Sequence, residues 1–245
     1  MFSAAQNFEK RLRLLMKMIS FDASLDTSLG ITKRGQEKLV EGIRASLAVL
    51  PVAFFEEFLR SLITQYIDVI NNKMPRLNWE SLPEKLRRTH TIDTPLIIRS
   101  KKFPGESYSA YEMRMFGEIE DAFRKVISPK ISPNAYVVAA HVFTQTNNNP
   151  DAETINDMFN RLGFKDIFRK PALVRKMEVL EAALNSGDAI RLRLDSIVQR
   201  RHAVAHGRTP GSLVRQDLER DINFLFKLSV GLQMVARSES KRLLR

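Results

Sequence analysis

The chain has 245 residues, of which 44% are hydrophobic, so it can bury a sizeable core and is not disordered throughout. It contains no cysteine, which excludes a disulfide framework and a thiolate metal site and suits a cytoplasmic protein. Its formal net charge of +11 favours a polyanionic partner such as nucleic acid over a surface whose charge serves only solubility.

The excess positive charge lies in two segments of the sequence. Residues 85–102 carry six Lys or Arg against Asp93, a net charge of +5, and residues 187–245 carry twelve against six acidic residues, a net charge of +6. Because contacts to phosphate dominate affinity for nucleic acid, both segments are predicted to face the polyanion. Lys101 and Lys102 are the candidate contacts in the first segment.

Residues 1–30 are predicted to form an N-terminal helical extension. Phe8, Leu12 and Leu15 recur at helical spacing, with basic residues between them. Basic amphipathic helices can bind membranes, but packing of the apolar face on a helical bundle is the favoured interpretation. No segment approaches the length of a transmembrane span, and no membrane association is expected.

A long helix is predicted over about residues 33–71, where apolar residues recur at helical spacing. Pro51 lies inside this stretch, and a kink or a break is expected there because proline removes a backbone hydrogen bond. Residues 73–107 contain four prolines and show no helical periodicity. They are therefore predicted to form an irregular basic insertion.

The rest of the chain is predicted to be helical and to complete an all-α, up-and-down bundle. Pro129 is expected to end the first of these helices, and Asp188 is expected to cap the fifth. The last two helices would form an antiparallel hairpin at the core, and residues 1–245 would form a single domain. The predicted helices cover about residues 108–127, 134–145, 151–162, 171–186, 188–206 and 212–236.

The predicted helix 188–206 ends in two adjacent arginines and two of the four histidines of the chain. Projected at about 100° per residue, Arg201 falls near the centre of an apolar stripe and Arg200 falls on its flank. A guanidinium cannot be deprotonated, so burying one without a partner is costly. Arg201 is therefore either paired within the core or part of a functional site. The stripe consists of Ile190, Leu194, Ile197, Val198, Val204 and Ala205.

Two interpretations of these residues remain open on physical grounds alone. In the first, Arg201 makes a buried ion pair with Glu56 or Glu57, and His206 interacts favourably with the macrodipole at the end of its helix. In the second, Arg201 and His206 form a phosphate clamp and a proton shuttle. Those are the two groups that RNA cleavage without a metal requires.

A metal site is disfavoured at the same place. His202 and His206 stand four residues apart, a spacing at which two imidazoles on one helical face can bind zinc. However, no Glu lies between them, no third ligand is suggested nearby, and Arg200 and Arg201 would repel a cation. No cofactor is therefore expected.

The spacing Arg201-x4-His206 resembles the R-x4-6-H motif of the HEPN superfamily, most members of which are all-helical, metal-independent endoribonucleases or their inactive relatives. Residues 52–60 resemble an early helix of the RiboL-PSP-type HEPN branch. Residues 149–164 resemble the short helix and the Leu-Gly turn that precede the last helix pair of such proteins. The resemblance covers about residues 35–236.

Two features of the chain bear on how the motif is assigned. Many members of the superfamily have Asn or Asp directly after the catalytic Arg, where this chain has His202. Arg200, with five residues between it and His206, also satisfies the looser spacing. The resemblance therefore leaves either Arg200 or Arg201 as the catalytic arginine.

The resemblance implies a mechanism and its residues. Arg201 would bind the scissile phosphate of RNA, and His206 would deprotonate the ribose 2′-hydroxyl or protonate the 5′-oxygen leaving group. The second proton-transfer group would come from the other chain of a homodimer, or from His202 of the same chain. Further contacts to RNA would come from Arg200, Arg208, Lys101 and Lys102.

The resemblance also implies a biological setting. HEPN nucleases of this kind resemble toxins and antiviral-defence effectors, which have an antitoxin or a companion defence protein as partner. The alternative is a non-catalytic HEPN module that binds RNA or another protein.

Overall fold

The computed structural model shows a bundle of helices, and no β-strand occurs among the residues that it describes. This confirms the all-α fold class predicted from the periodicity of the sequence. None of the helices in the described parts of the chain is long and apolar enough to cross a membrane. The described residues are 3–24, 33–72, 81–90, 105–131, 138–144, 149–207 and 214–243.

Most of the predicted helices are present, and the motif lies on the second-last of those described. Short 3-10 turns at Ile167–Arg169 and Ala182–Leu184 separate the later helices. The helices are α1 (Ala4–Ser24), α2 (Lys33–Asn71), α3 (Glu84–Arg88), α4 (Tyr108–Ile131), α5 (His141–Thr144), α6 (Ala152–Arg161), α7 (Pro171–Glu178), α8 (Gly187–Ala205) and α9 (Arg215–Leu243).

Helix α2 is the centre of the bundle. Helices α1, α8 and α9 all pack on it. It has 39 residues and is about 58 Å long at 1.5 Å per residue. Its C-terminal two thirds bury a continuous set of apolar side chains, among them Phe55, Leu62 and Ile67, which are fully enclosed. The positions of α1, α8 and α9 around the core therefore depend on α2.

Of the kink or break expected at Pro51, the break is not present: α2 continues through this residue. A proline inside a helix costs about 3 kcal/mol, since it removes a hydrogen bond and crowds the preceding turn. Its neighbours Ala48, Val52 and Phe55 are all buried in the core. Burial of these side chains offsets the local cost, so tertiary packing keeps the helix continuous.

Helix α1 belongs to the same core as the rest of the bundle. Phe8 packs against Phe55 and Phe58 of α2, with ring centroids 5.8 and 5.5 Å apart. At the start of α1, the Ala5 N–H donates to the side-chain oxygen of Gln233 on α9, at 3.0 Å. Within the predicted extension 1–30, the described helix is thus held by both α2 and α9.

Two helix ends differ from the predicted ones. Helix α4 runs to Ile131, so Pro129 does not end it; a proline weakens a helix by one hydrogen bond but does not by itself reverse the chain. Helix α8 is capped by Ser186, whose side chain accepts a hydrogen bond from the Ala189 N–H at 3.2 Å. Asp188, the predicted cap, lies instead in the first turn, where a carboxylate complements the helix macrodipole.

The helix predicted over 134–145 is reduced to the four residues of α5 in the described part of this segment. Immediately before it, side chains from distant parts of the chain bind the backbone. Asn71 donates to the Val138 carbonyl at 3.0 Å and accepts from the Val138 N–H at 2.7 Å. The Ala139 N–H donates to Nε2 of the buried His90, at 2.9 Å. These contacts use the backbone carbonyl and N–H groups of Val138 and Ala139, which a helix over this segment would pair with its own backbone.

The predicted basic insertion 73–107 is described by the structure at residues 81–90 and 105–107. Residues 81–90 contain α3, which packs on α6, and they bury Leu82 and Leu86 in the core. The irregular structure predicted for this stretch is therefore wrong at α3, whereas residues 105–107 are not helical. The other residues of the insertion, including Lys101 and Lys102, lie outside the described residues.

In the part of the chain that the structure describes, side-chain ion pairs join α8 to α9, rather than the close backbone packing expected of a central hairpin. In the described part of the chain each of them packs on α2, and α7 packs against both. Helix α7 buries Leu173 and Met177, and Leu173 lies against Gly231 of α9, where a larger side chain would collide with it.

The beginning and the end of α6 are both fixed, and this matters because α6 packs on the motif helix α8. Asp151 caps α6 by accepting from the Thr154 N–H at 2.8 Å. At the other end, Gly163 has φ of +89°, and a Cβ there would lie 2.6 Å from Cβ of Pro83. Only glycine satisfies both the left-handed backbone and the close approach.

Gly163→Ala should therefore lower the free energy of unfolding by about 1–3 kcal/mol or more, the cost of a strained backbone increased by the collision with Pro83. Urea denaturation measures this loss. Gly105→Ala is the matched control, because Gly105 also has a positive φ, of +81°, but has open space around its Cβ position. An equal loss in the two variants would contradict the packing argument.

Candidate functional site

The motif occupies the last two turns of α8 and its C-terminal cap. His206 is the cap residue, and Gly207 follows with φ of +69°, the left-handed conformation that commonly ends a helix. The buried face of α8 consists of Ile190, Leu194, Ile197 and Val198. The apolar stripe predicted from the sequence is therefore fully buried up to residue 198, and the motif residues that follow are half-buried or exposed.

Arg201 lies at the edge of the bundle, half-buried between α8 and the segment before α6. Its Nη1 donates to the side-chain oxygen of Asn149 at 2.6 Å. Its Nε is buried and has no hydrogen-bond partner in the described part of the chain. No carboxylate among the described residues pairs with this guanidinium, so its charge is not neutralised there.

The buried ion pair considered for Arg201 is not formed. Glu56 pairs with Arg60 on the same helix at 2.6 Å, and Glu57 pairs with Arg11 of α1. Both carboxylates therefore have other partners, and both belong to the contact between α1 and α2 or to the surface of α2. The interpretation that buries Arg201 against a glutamate is wrong.

Arg200 has the opposite environment, because it pairs with a buried carboxylate. Oδ2 of Asp221 on α9 accepts from Arg200, and Oδ1 accepts from Arg193 at 2.9 Å. The Asp221 side chain is only 8% exposed. Burial raises the pKa of Asp221, and the guanidinium groups of Arg200 and Arg193 oppose that rise. Since charged donors bind both oxygens, we infer that the carboxylate is ionised at neutral pH.

His202 and His206 form a close pair on the exposed face of α8. Their ring centroids are 4.3 Å apart and the ring planes are tilted by 60°. Both residues are exposed to solvent. A reacting group that approaches from solvent can therefore reach both imidazoles at once. Among the described residues, no group of three or more His, Asp or Glu side chains could hold a metal ion.

Within one chain, the arginine and the histidines of the motif point to different sides of α8. At 100° per residue, Arg201 and His206 lie about 140° apart around the helix axis, whereas His202 and His206 lie about 40° apart. Arg201 accordingly faces the start of α6, and the two imidazoles face solvent. Within the described parts, Arg201 has no hydrogen bond or ring contact with either histidine.

The structure brings together some of the predicted site residues and leaves others untested. Arg200, Arg201, His202 and His206 all lie on the last turns of α8, whereas Arg208 lies outside the described residues, as do Lys101 and Lys102.

Sequence reasoning missed Asn149 and Asp221, which bind the two arginines. Asp221 did leave a signal, since it lies beside the apolar residues Leu218, Ile222 and Leu225 on the buried face of α9. A charge at such a position requires a partner. Asn149 left no comparable signal, because a polar residue before a helix cap is ordinary.

The structure is an all-helical bundle, and the Arg and His of the motif lie at the end of the second-last described helix. This is the arrangement that the resemblance to the HEPN class implied. The chain belongs to the RiboL-PSP-HEPN family, whose model matches residues 7–232. The match extends from α1 into α9 and so includes the whole candidate site. HEPN domains in general are nucleases or RNA-binding modules. No curated protein and no solved structure matches the chain.

Asp221→Ala should lower the free energy of unfolding by about 3 kcal/mol, because it leaves two half-buried guanidinium groups without their carboxylate. Urea denaturation followed by circular dichroism measures the loss. Asp217→Ala is the control on the same helix, because Asp217 makes a weak pair. Its side chain is 48% exposed, and its distance of 3.6 Å to Nη1 of Arg220 is too long for a hydrogen bond. The control should lose no more than about 1 kcal/mol. Similar losses in both variants would contradict a structural role for the Asp221 pairs.

Proposed function

We propose that this protein is a metal-independent endoribonuclease. The observation that carries the proposal is the state of Arg201, whose charge no described carboxylate neutralises and which shares the C-terminal end of α8 with two exposed imidazoles. A fixed, un-neutralised guanidinium suits binding of a phosphate, and an exposed imidazole suits proton transfer. Membership of the RiboL-PSP-HEPN family supports the same conclusion.

The proposed reaction uses these groups in one transesterification. A histidine removes the proton from the ribose 2′-hydroxyl, and the 2′-oxygen attacks the adjacent phosphorus. Arg201 stabilises the negative charge that develops on the equatorial oxygens. The bond between phosphorus and the 5′-oxygen then breaks, and a second imidazole protonates the leaving oxygen. The products are a 2′,3′-cyclic phosphate and a 5′-hydroxyl.

The two arginines of the motif receive different roles in this proposal. Arg201 is the catalytic arginine. Arg200 is assigned to the fold, because it forms an ion pair with buried Asp221 and its own side chain is only 23% exposed. Its role as an RNA contact, predicted from its place on the flank of the apolar stripe, stays a prediction. Arg208, Lys101 and Lys102 remain proposed contacts to the RNA backbone, by virtue of their charge.

A homodimer would combine the separated parts of the motif in one cleft. Arg201 and His206 of the same chain face different sides of α8, about 140° apart, which favours a cleft that takes the arginine of one chain and the histidines of another. Twofold symmetry is the commonest arrangement of such assemblies and brings the same surface of both chains together. Within a single chain, His202 is the alternative second proton-transfer group.

The biological role proposed for this activity is that of a toxin or an antiviral-defence effector in the cytoplasm, and it rests on the family resemblance alone. An effector of that kind has an antitoxin or a companion defence protein as its partner. If the protein binds RNA without cleaving it, the non-catalytic HEPN module is the correct assignment instead.

The nuclease proposal predicts that the purified protein cleaves RNA in the presence of EDTA and leaves DNA intact, because DNA lacks the 2′-hydroxyl nucleophile. His206→Ala should lower the rate by about 10²–10⁴-fold, the usual contribution of a general acid or base. His206→Gln should be equally impaired, since glutamine can hydrogen bond but does not exchange a proton near neutral pH. Gel analysis of a labelled RNA measures both rates. A fully active glutamine variant, or a strict requirement for a divalent ion, would refute the mechanism.

The shared cleft predicts a mass of about twice the 28.1 kDa chain in light scattering. It also predicts that inactive Arg201→Ala and His206→Ala chains regain activity when they are mixed and allowed to exchange. In the mixed dimer, one cleft would receive the intact arginine of one chain and the intact histidine of the other. A monomer that cleaves RNA, or a mixed dimer without activity, would place both groups of each site in one chain.

A further inference from the structure

Asn149 is the one hydrogen-bond partner that the described residues offer to the Arg201 guanidinium. The backbone around it is held in place. Its carbonyl accepts from the Asp151 N–H at 2.8 Å, and Asp151 in turn caps α6. Between them lies Pro150, which is buried and whose ring fixes φ. The Asn149 side chain is therefore presented to Arg201 from a rigid segment.

A second contact holds this segment against the motif helix. The Ala152 N–H at the start of α6 donates to Oδ1 of Asp195 on α8, at 2.8 Å. The start of α6 is thus joined to α8 at two places, through Asp195 and through Arg201. The segment that carries Asn149 is therefore held against α8 by two hydrogen bonds.

The charge of the acceptor is as important as its position. Adjacent arginines on α8 have different partners: Arg200 binds the carboxylate of Asp221, and Arg201 binds the neutral amide of Asn149. A guanidinium has five N–H donors in one plane, so a single hydrogen bond restricts that plane and leaves other donors for a ligand. An amide does this without cancelling the positive charge, whereas a carboxylate would cancel it.

From this geometry we propose that Asn149 is a positioning residue for the phosphate site. It orients the Arg201 guanidinium and, because it is neutral, keeps the charge of that group available to the scissile phosphate of a single-stranded or structured RNA. The inference rests on the proposed endoribonuclease function for its kinetic consequences. The orientation of Arg201 by Asn149 is a property of the folded chain and is testable without any reaction.

Two substitutions separate orientation from charge. Asn149→Ala removes the acceptor and frees the guanidinium, so kcat should fall by about 10²-fold, the effect of misplacing a catalytic group by about 1 Å. Asn149→Asp retains the acceptor but adds a negative charge. It should leave Arg201 ordered, raise KM and reduce the dependence of RNA binding on salt, by about one unit of slope in log affinity against log salt concentration.

Asn156→Ala is the matched control for loosening of α6. Asn156 lies on the same helix, and its side-chain oxygen accepts from the Ile167 N–H at 3.2 Å. This variant should lose stability without the changes in kcat, KM or salt slope, because Asn156 does not contact Arg201. A purely structural role for Asn149 would make its alanine variant behave like this control.

The readout that does not require catalysis is the order of the Arg201 side chain, measured by 15N relaxation of its Nε–Hε group in solution. The side chain should be rigid in the wild type and in Asn149→Asp, and mobile in Asn149→Ala. Unchanged order in Asn149→Ala would overturn the proposal, and so would an Asn149→Asp variant with wild-type KM and salt slope. If the wild type does not cleave RNA, the proposed function fails, and the relaxation data and RNA affinity alone decide the role of Asn149.

Discussion

The carboxylate of Asp221 is the constraint on which the candidate site depends. It is buried on α9 and binds Arg193 and Arg200 of α8 through its two oxygens. These arginines are seven residues apart, so they lie within about 20° of each other around the helix axis. A single fixed carboxylate that binds both therefore determines how α8 is rotated. With that rotation set, Arg201 faces the start of α6, and His202 and His206 face solvent.

The same arrangement explains how a strongly basic helix end can be both stable and functional. A half-buried arginine is stabilised by a carboxylate, and Arg200 has one in Asp221. An arginine that is to bind a phosphate must keep its charge, and Arg201 has only the neutral Asn149 among the described residues. The two adjacent arginines thus differ in net charge environment, because Arg200 pairs with a carboxylate of α9 and Arg201 with an amide before α6. Their different partners determine which of the two can bind a phosphate.

Local sequence patterns predicted the long helices, the apolar face of α8 and the position of the motif, because each depends on residues a few positions apart. They failed where distant residues decide the structure. The backbone of Val138 is hydrogen bonded by Asn71, 67 positions earlier in the chain, and residues 138–140 of a predicted helix are not helical. Pro51 is retained inside α2 by burial of its neighbours. The partner of Arg200 is likewise 21 positions away: the apolar neighbours of Asp221 indicate that this carboxylate needs a partner, but they do not identify Arg200 as that partner.

The most direct test is a comparison of Arg200→Ala with Arg201→Ala, in which both the free energy of unfolding and kcat/KM on RNA are measured below the unfolding transition. Arg201→Ala should keep its stability and lose about 10²–10³-fold in kcat/KM, as expected when a donor to the transition-state charge is removed. Arg200→Ala should lose stability, because it breaks a pair with a buried carboxylate, and should keep most of its activity while folded. The reverse result, an inactive but stable Arg200→Ala and an active Arg201→Ala, would contradict the assignment of the two arginines.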